Sequence, residues 1–227
     1  MRDYLEVEYN EVNHPVTTYP GKLAAYLFQK FDLKEGQKLL EIGPGRCEIL
    51  NEFRKLGLQT YAVDSAESAK EYAIKAGAQF QLGVIEDSTS FDFFKEVSFD
   101  VIFTKSFIEH INYPEKFVEA SYRRLNNNGK MVILTPDFET NYKIFYDDIT
   151  HVKPFTSVSV IQLLELTGFR NCEVFKFRQL PLTWRFKSIK ILSILSGFIA
   201  RPRWRNKWFR WSRELMLAGI GVKIDKE

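Results

Sequence analysis

The chain has 227 residues, of which 45% are hydrophobic, and two cysteines, Cys47 and Cys172. This length predicts a single domain with one substantial core. Two distant cysteines argue against a disulfide framework, and the longest apolar stretch, 191–200, is about half of the roughly 20 residues that a membrane-spanning helix needs. The mixed, charged start of the chain indicates no targeting segment, so the expected location is the cytoplasm.

The net charge of +3 hides an uneven distribution along the chain. Residues 1–180 hold 21 Lys and Arg against 26 Asp and Glu, whereas residues 181–227 hold 11 against 3. All four tryptophans also lie in the second segment. This break in composition indicates a specialised element attached to an ordinary acidic body.

Hydrophobic patterning predicts strands and helices in alternation. A helix over 21–31 lies in an N-terminal arm or lid, residues 1–35, and a core follows over 36–178. The strands are expected at 38–42, 59–63, 78–82, 99–104, 130–135, 171–177 and 217–224. The helices are expected from the glycine turn to Leu56, from a Ser65 cap to Ala76, from Pro114 to Leu125, and from a Thr156 cap to Gly168. Asn126–Gly129 is expected to be a turn. This alternation predicts a mainly parallel sheet with helices on both faces, which binds ligands outside the carboxyl ends of its strands.

The sharpest motif is LLEIGPGRCEIL, which closes the first predicted strand and opens a helix. Gly43 and Gly45 let the backbone approach a ligand closely, and the helix N-terminus presents free N–H groups. The run resembles the first motif of class I S-adenosylmethionine-dependent methyltransferases, acidic-x-Gly-x-Gly-x-Gly. Glu41, Gly43 and Gly45 match this motif, and Cys47 replaces its third glycine. The dinucleotide fingerprint fits less well because it needs glycine at Glu48.

Asp64 ends the second predicted strand, nineteen residues after Gly45. A carboxylate at this place can accept hydrogen bonds from both hydroxyls of an adenosine ribose, and Ser65 beside it is a second candidate contact. The alternative is an aspartate that caps the next helix. Together with the glycine loop, ribose binding is the better interpretation.

The loop after the third predicted strand is less specific. In the methyltransferase family it often carries an acid that contacts the adenine amino group, and the aligned position here is Val84. Backbone groups of Val84 and Ile85 are expected to bracket the adenine, with Glu86 or Asp87 in place of the missing acid. Two solvated acids in a loop are an equally good interpretation.

The resemblance extends through 98–137, which includes the Glu109-His110 pair, and through 151–169. It covers the core from 36 to 178 and comes closest to bacterial small-molecule and glycan methyltransferases, including those related to quinone O-methylation. It implies a Rossmann-like, seven-stranded, mostly parallel sheet with S-adenosylmethionine as the cofactor. Thr104, at the end of the fourth predicted strand, is a further candidate for cofactor contact.

Methyl transfer needs donor and acceptor in line and, for a hydroxyl acceptor, the removal of a proton. His110 and His151 are the candidate bases because both are expected in loops at the ligand-binding edge. A structural role for His110 is an equally good interpretation, and His151 could instead order its loop with Asp147 or Asp148. No His, Cys and carboxylate cluster has ligand spacing along the chain, so no metal site is expected.

Residues 181–213 form a basic, tryptophan-rich segment, called here the insert, with nine Lys and Arg and no acid. Its apolar residues at 186, 189, 192, 195 and 199 follow one face of a helix. An anionic membrane interface favours cations and indoles beside an apolar stripe. Alternatives are an anionic sugar or diphosphate, and a helical lid whose tryptophans are buried. Nucleic acid is disfavoured because the apolar stripe has no use on a phosphate backbone.

The sequence therefore predicts a methyltransferase that O-methylates a small molecule, a glycan or a lipid-linked acceptor, in the cytoplasm or at the inner membrane face. A non-enzymatic protein that keeps the fold and binds membrane or nucleic acid is the alternative from another class. An RNA methyltransferase is a third hypothesis. The run TKSFIEH after the fourth strand lacks the Asn/Asp-Pro-Pro-aromatic motif of amino-group methylation on bases.

Overall fold

The computed structural model describes residues 3–7, 9, 14–85 and 93–225. These residues form seven strands: β1 (Lys38–Ile42), β2 (Gln59–Asp64), β3 (Gln79–Leu82), β4 (Phe99–Lys105), β5 (Leu125–Pro136), β6 (Arg170–Phe177) and β7 (Met216–Val222). The described residues also form ten α-helices: α1 (Tyr4–Val7), α2 (Tyr19–Lys30), α3 (Glu48–Lys55), α4 (Ala69–Lys75), α5 (Pro114–Arg124), α6 (Phe138–Asn141), α7 (Ser157–Leu166), α8 (Pro181–Arg185), α9 (Lys187–Ile199) and α10 (Lys207–Arg213).

The strands form one sheet in the order β3-β2-β1-β4-β5-β7-β6. Strands β1 to β5 pair in parallel, and β7 is antiparallel to both of its neighbours. The chain builds one side of the sheet from β1 outward to β3, and then returns to build the other side from β4. The strand order therefore reverses between β1 and β4, which is where an open α/β sheet binds its ligand.

The predicted seven-stranded, mostly parallel sheet with helices on both faces is confirmed. One face packs against α2, α3 and α4 through residues such as Leu27, Phe53 and Ala73. The other face packs against α5 and α7 through residues such as Phe117 and Leu164. Strands covered on both sides in this way carry the continuous apolar runs seen in the sequence.

The predicted cap at Ser65 is wrong. Helix α4 begins only at Ala69, because the Asp64 carboxylate accepts the backbone N–H of Ala66 at 2.9 Å and holds the chain in a turn. The cap at Thr156 is confirmed, since its hydroxyl accepts the backbone N–H of Ser159 at 3.2 Å.

The predicted turn at 126–129 is also wrong. Strand β5 already begins at Leu125, and its pairing with β4 shifts register between Leu125 and Lys130. The Asn126 side-chain amide donates to Asp100 of β4 at 2.8 Å, which keeps this irregular stretch attached to the sheet. At the other end of the fold, the last strand is Met216–Val222 rather than 217–224.

Between β6 and β7, the insert forms helices α8, α9 and α10. Helix α9 packs on α10 through small residues: Ser193 Oγ lies 2.8 Å from Ser212 Oγ. Gly197 permits this close packing, because an added Cβ would lie 2.6 Å from the carbonyl oxygen of Ser212. Across the described ranges, no helix is both long enough and apolar enough to cross a bilayer.

Candidate active site

The loop between β1 and α3 turns sharply at the carboxyl edge of the sheet. Gly43, Gly45 and Cys47 have φ values of 68°, 53° and 55°, all in the left-handed region. Glycine adopts this conformation freely, whereas an L side chain there costs about 1–2 kcal/mol. Cys47 thus adopts a backbone conformation that favours glycine, and its buried side chain packs in the core.

Asp64 lies next to this loop, with its carboxylate almost fully buried. The backbone N–H of Gly45 donates to Asp64 Oδ2 at 2.9 Å, and that of Ala66 donates to Oδ1 at 2.9 Å. Burial raises the pKa of Asp64, and these donors oppose the rise. The structure therefore places the glycine loop next to Asp64, and the sequence predicts that both bind the adenosine part of the cofactor.

Helix α1 packs over Asp64 and the glycine loop. The Tyr4 hydroxyl donates to both oxygens of Asp64, at 3.0 and 3.2 Å. Leu5 is buried against the loop, where an added Cβ on Gly45 would lie 3.3 Å from its Cδ2. Asp3 anchors the helix by accepting the Ser68 hydroxyl at 2.6 Å. Sequence reasoning missed Tyr4, because nothing in its local pattern points to a carboxylate sixty residues away.

Glu41 is a buried carboxylate at the end of β1. Its Oε2 atom has no hydrogen-bond partner among the described residues, and burial raises its pKa to about 8. A buried carboxylate without a partner is costly, so a cationic ligand group would satisfy this atom. S-adenosylmethionine carries such an amino group beside its adenosine, and the residues at this edge of the sheet fit both parts.

Two other candidate cofactor residues lie at the same edge. Thr104 is fully buried, and its hydroxyl donates to the carbonyl oxygen of Ile42 at 3.3 Å, so this group joins β4 to β1. Ser65 is exposed in the bend after Asp64. A contact of either residue with the cofactor stays a prediction.

The loop after β3, where the sequence predicts adenine binding, is described as far as Ile85 and again from Phe93. Val84 is exposed, whereas the Ile85 side chain is buried in the core. Backbone contacts from this pair to an adenine stay a prediction. Glu86 and Asp87, the expected substitutes for the missing acid, lie outside the described residues.

Residues 105–107, at the end of β4, lie between the glycine loop and a second site. The Phe107 ring packs on Gly43, where an added Cβ would lie 2.7 Å from Phe107 Cδ2. Ser106 has a φ of 51°, a strained conformation of the kind that clusters at functional sites. Lys105 and Ser106 line a cavity on the other side. Sequence reasoning stopped at Thr104 and missed all three residues.

The cavity has a volume of about 530 Å³. The sheet edge and its loops contribute Lys105 and His151 to its lining, and the insert contributes Arg203, Trp204 and Arg205. The insert, whose composition differs from the rest of the chain, therefore forms one wall of this cavity. A site of this size suits a small organic acceptor.

His151 reaches this cavity with a defined proton arrangement. Its Nδ1 lies 2.6 Å from the carbonyl oxygen of Phe145, and because a carbonyl only accepts, Nδ1 carries the proton. Nε2 is then the basic nitrogen of the neutral ring, and it lies 3.8 Å from Asp148 Oδ2. Of the two aspartates expected near His151, Asp148 fills that position, whereas Asp147 pairs with Arg203.

His110 packs beside His151, with ring centroids 4.8 Å apart, but it does not line the cavity. Its Nδ1 lies 2.8 Å from the Thr150 hydroxyl, which in turn donates to Asp148 at 2.6 Å. Burial, followed by the proximity of His151, lowers the pKa of His110. These contacts favour the structural interpretation of His110.

Glu109 is fully buried beneath the two histidines, and burial raises its pKa to about 7. Its Oε2 accepts the Thr135 hydroxyl at 2.9 Å. Ligand-type atoms of Glu109, His110 and His151 lie within 4.8 Å of one another. The spacing along the chain did not reveal this cluster, because His151 belongs to a loop that is distant in sequence. The absence of a metal site stays a prediction.

This architecture differs from a dinucleotide-binding domain in its antiparallel β7 and in its glycine spacing. The sheet and the glycine loop together define a class I S-adenosylmethionine-dependent methyltransferase. The chain belongs to the family described as Methyltransferase domain, whose pattern matches residues 12–174. S-adenosylmethionine is the cofactor of this class.

Individual relatives are more distant. The Ubiquinone biosynthesis O-methyltransferase of Idiomarina loihiensis is 30% identical over 104 residues, which cover 44% of this chain and 42% of that protein. The mitochondrial enzyme of the same description from Schizosaccharomyces pombe is 25% identical over 118 residues, which cover 48% of this chain and 41% of that protein. The chain thus spans less than half of the length of these curated relatives.

Solved structures share the fold over almost the whole chain. A SAM-dependent methyltransferase from Archaeoglobus fulgidus has a TM-score of 0.66 and 20% identity, and the match covers 97% of this chain and 100% of that one. Phosphoethanolamine N-methyltransferase 2 of Haemonchus contortus, solved with S-adenosyl-L-methionine, has a TM-score of 0.60 and 18% identity, over 99% of this chain and 60% of that one.

Proposed function

We propose that this protein transfers the methyl group of S-adenosylmethionine to a hydroxyl group of a small-molecule acceptor. The observation that carries the proposal is the segment 105–107. Phe107 packs on the glycine loop while Lys105 and Ser106 line the cavity, so the two candidate sites meet at three consecutive residues.

On the cofactor side, we assign Asp64 to the ribose hydroxyls and Glu41 to the amino group. Gly43 and Gly45 let the backbone follow the cofactor closely. The bound cofactor supplies a methyl group that its sulfonium already activates. The remaining task of the protein is to hold the acceptor in line and to accept its proton, and positioning alone supplies up to about 7–11 kcal/mol of barrier reduction.

On the acceptor side, we assign the proton-accepting role to His151 rather than to His110. His151 lines the cavity, and the Phe145 carbonyl fixes its Nδ1–H so that Nε2 is basic. Asp148 lies close enough to stabilise the imidazolium that forms. The O-methyltransferase names of the two curated relatives support an oxygen acceptor.

Calorimetric titration with S-adenosylhomocysteine tests this proposal against a non-enzymatic protein that keeps the fold. We expect saturable binding of one molecule per chain. In the same preparation, hydroxylated small molecules are screened for S-adenosylhomocysteine release from S-adenosylmethionine. Absence of saturable binding by the folded protein would reject the methyltransferase proposal and favour the non-enzymatic alternative.

We further propose that helix α9 docks on an anionic membrane surface. The arrangement of this helix is inverted relative to an ordinary surface helix, whose apolar side faces the core. Its small residues Ser193, Ser196 and Gly197 face the protein, whereas Leu195, at 59% exposed, and Phe198, at 84%, face solvent. Other large apolar residues on its outer side share this exposure: Ile191, Leu192 and Ile199.

Charge favours an anionic surface as the occupant of this face. Arg185, Lys187 and Lys190 are exposed beside the apolar residues, and the insert contains no acid. Each basic residue near an anionic bilayer contributes about 1 kcal/mol, and each buried CH₂ contributes about 0.8 kcal/mol. Trp184, Trp208 and Trp211 are half-buried in the protein, so on α9 the attachment depends on the aliphatic and phenyl side chains.

Sedimentation with vesicles that contain phosphatidylserine tests the docking proposal. We expect the full chain to pellet at low salt and to be released by high salt. The double variant Leu195→Glu, Phe198→Glu should stay in the supernatant. Leu166→Glu is the matched control, because Leu166 is 86% exposed on α7, away from the insert. Equal sedimentation of the double variant and the control would overturn the proposal.

A further inference from the structure

The walls of the cavity carry both apolar and cationic groups. Apolar residues from the loops and from β7 form much of the lining: Pro136, Ile144, Phe145, Leu215 and Met216. Trp204 adds an aromatic surface from the insert, and its ring stacks on Phe209 with centroids 4.7 Å apart. The cavity thus suits an acceptor with an apolar or aromatic body.

The charged side chains of the lining are not equally paired. The Arg203 guanidinium donates to the two carboxylate oxygens of Asp147 at 2.6 and 2.7 Å. The Nε of Arg210 donates to Glu214 Oε2 at 2.8 Å. These two ion pairs neutralise two arginines and two acids. The remaining acid in the lining, Asp148, accepts the hydroxyl and the backbone N–H of Thr150 and faces His151.

Two cations in the lining have no acidic partner within ion-pair distance among the described residues. Arg205 lies in the insert, and Lys105 is the last residue of β4. Lys105 feels the charges of Glu109 and Glu41, yet burial dominates and lowers its pKa. Because neither Arg205 nor Lys105 forms an ion pair with a described residue, both can bind an anionic ligand group in the cavity.

We infer that the methyl acceptor carries an anionic group, a carboxylate or a phosphate, which binds between Arg205 and Lys105. This inference deepens the proposed function and rests on it. An arginine binds either anion through two parallel N–H donors, and a lysine adds a point charge. The apolar walls hold the body of the acceptor, and the anionic group orients its hydroxyl toward His151.

The role of the insert then follows from its place in the cavity wall. Arg201 and Arg205 belong to the same connection between α9 and α10, but Arg201 does not line the cavity. Both side chains are exposed. This pair therefore offers a matched comparison, in which the same charge is removed inside and outside the proposed site.

The test measures the binding of two isosteric probes, 4-hydroxybenzoate and its neutral amide 4-hydroxybenzamide, to the full chain saturated with S-adenosylhomocysteine. We expect 4-hydroxybenzoate to bind about tenfold more tightly, because a charge-assisted contact distinguishes the two probes. Arg205→Gln should remove this preference, and Arg201→Gln should keep it. A third probe, 4-hydroxyphenyl phosphate, separates the two anions, since the tighter of the two charged probes identifies the group.

Each other outcome has a distinct meaning. Equal affinity for the acid and the amide, no binding of either probe at millimolar concentration, or a preference that survives Arg205→Gln would each overturn the inference. Saturable binding of S-adenosylhomocysteine in the same samples would leave the proposed function standing. Loss of that binding in the wild-type protein would instead reject the proposed function itself.

Discussion

The cofactor side and the acceptor side of this molecule differ in the kind of group that forms their contacts. Around Asp64, the partners are backbone N–H groups of short loops that follow strands, together with the Tyr4 hydroxyl. Around the cavity, the partners are long side chains, such as Arg203 and Arg210, that come from an insert late in the chain. Backbone donors depend on the fold alone, whereas side-chain partners can change without altering it. We therefore expect the first side to define the protein class and the second side to select the acceptor.

The largest expected effect tests the acceptor side. His151→Ala should lower turnover by about 10²–10⁴-fold, because a positioned base contributes that much. The affinity for S-adenosylhomocysteine should not change, since His151 lies on the cavity side of segment 105–107. Steady-state kinetics and calorimetry measure the two quantities. His14→Ala is the control for the loss of an imidazole, because the His14 side chain is exposed and its contact with Arg46 uses the backbone carbonyl, which the variant keeps. Equal turnover of the two variants would remove His151 from the mechanism.

The next effect tests the cofactor side. Asp64→Ala should weaken S-adenosylhomocysteine binding by about a hundredfold, because two charge-assisted hydrogen bonds to the ribose are lost at once. Glu67→Ala, at an exposed acid in the turn before α4, is the control and should bind normally. Circular dichroism checks that both variants fold. An unchanged affinity in folded Asp64→Ala would mean that the ribose binds elsewhere.

A smaller effect concerns the contact between α1 and Asp64. The Tyr4 hydroxyl donates to the same carboxylate oxygens that the ribose would use, so Tyr4 and the cofactor compete. Tyr4→Phe removes the competing hydrogen bond and should tighten S-adenosylhomocysteine binding about fivefold. Weaker binding by Tyr4→Phe would show that the hydroxyl contacts the cofactor and does not compete with it.

The smallest effect is on stability. The pKa of Glu41 in the folded protein is about 8, above its ordinary value of 4.5. Between these values the folded state binds more protons than the unfolded chain, so the stability of the ligand-free protein falls as the pH rises through this range. Glu41→Gln cannot ionise, and its melting temperature should fall less over the same range. Glu109, whose pKa is also raised, contributes equally to both proteins. The same change of melting temperature with pH in both proteins would contradict the raised pKa of Glu41.

The sequence was more informative for the cofactor side than for the acceptor side. Gly43, Gly45 and Asp64 are predictable because each lies at or just after the end of a strand with a clear apolar pattern, and parallel strands end at one edge of the sheet. Tyr4 and Lys105 were missed because their contacts join segments that are far apart in the chain. The cluster of Glu109, His110 and His151 was missed for the same reason.

The insert illustrates a different limit. Its helical apolar face was predicted from the spacing 186, 189, 192, 195 and 199, but periodicity does not indicate whether such a face is buried or exposed. Helix α9 turns its small residues inward because Gly197 and Ser193 allow close packing on α10. Sequence spacing likewise did not reveal that the segment between α9 and α10 lines the cavity.

A crystal structure of the protein with S-adenosylhomocysteine is the most direct test of the account. It predicts that the ribose hydroxyls bind Asp64 in place of the Tyr4 hydroxyl, and that the amino group contacts Glu41. The sulfur atom should face the cavity beside Lys105 and His151. A cofactor that leaves the Tyr4–Asp64 contact intact, or whose sulfur points away from this cavity, would contradict the division of the site at segment 105–107.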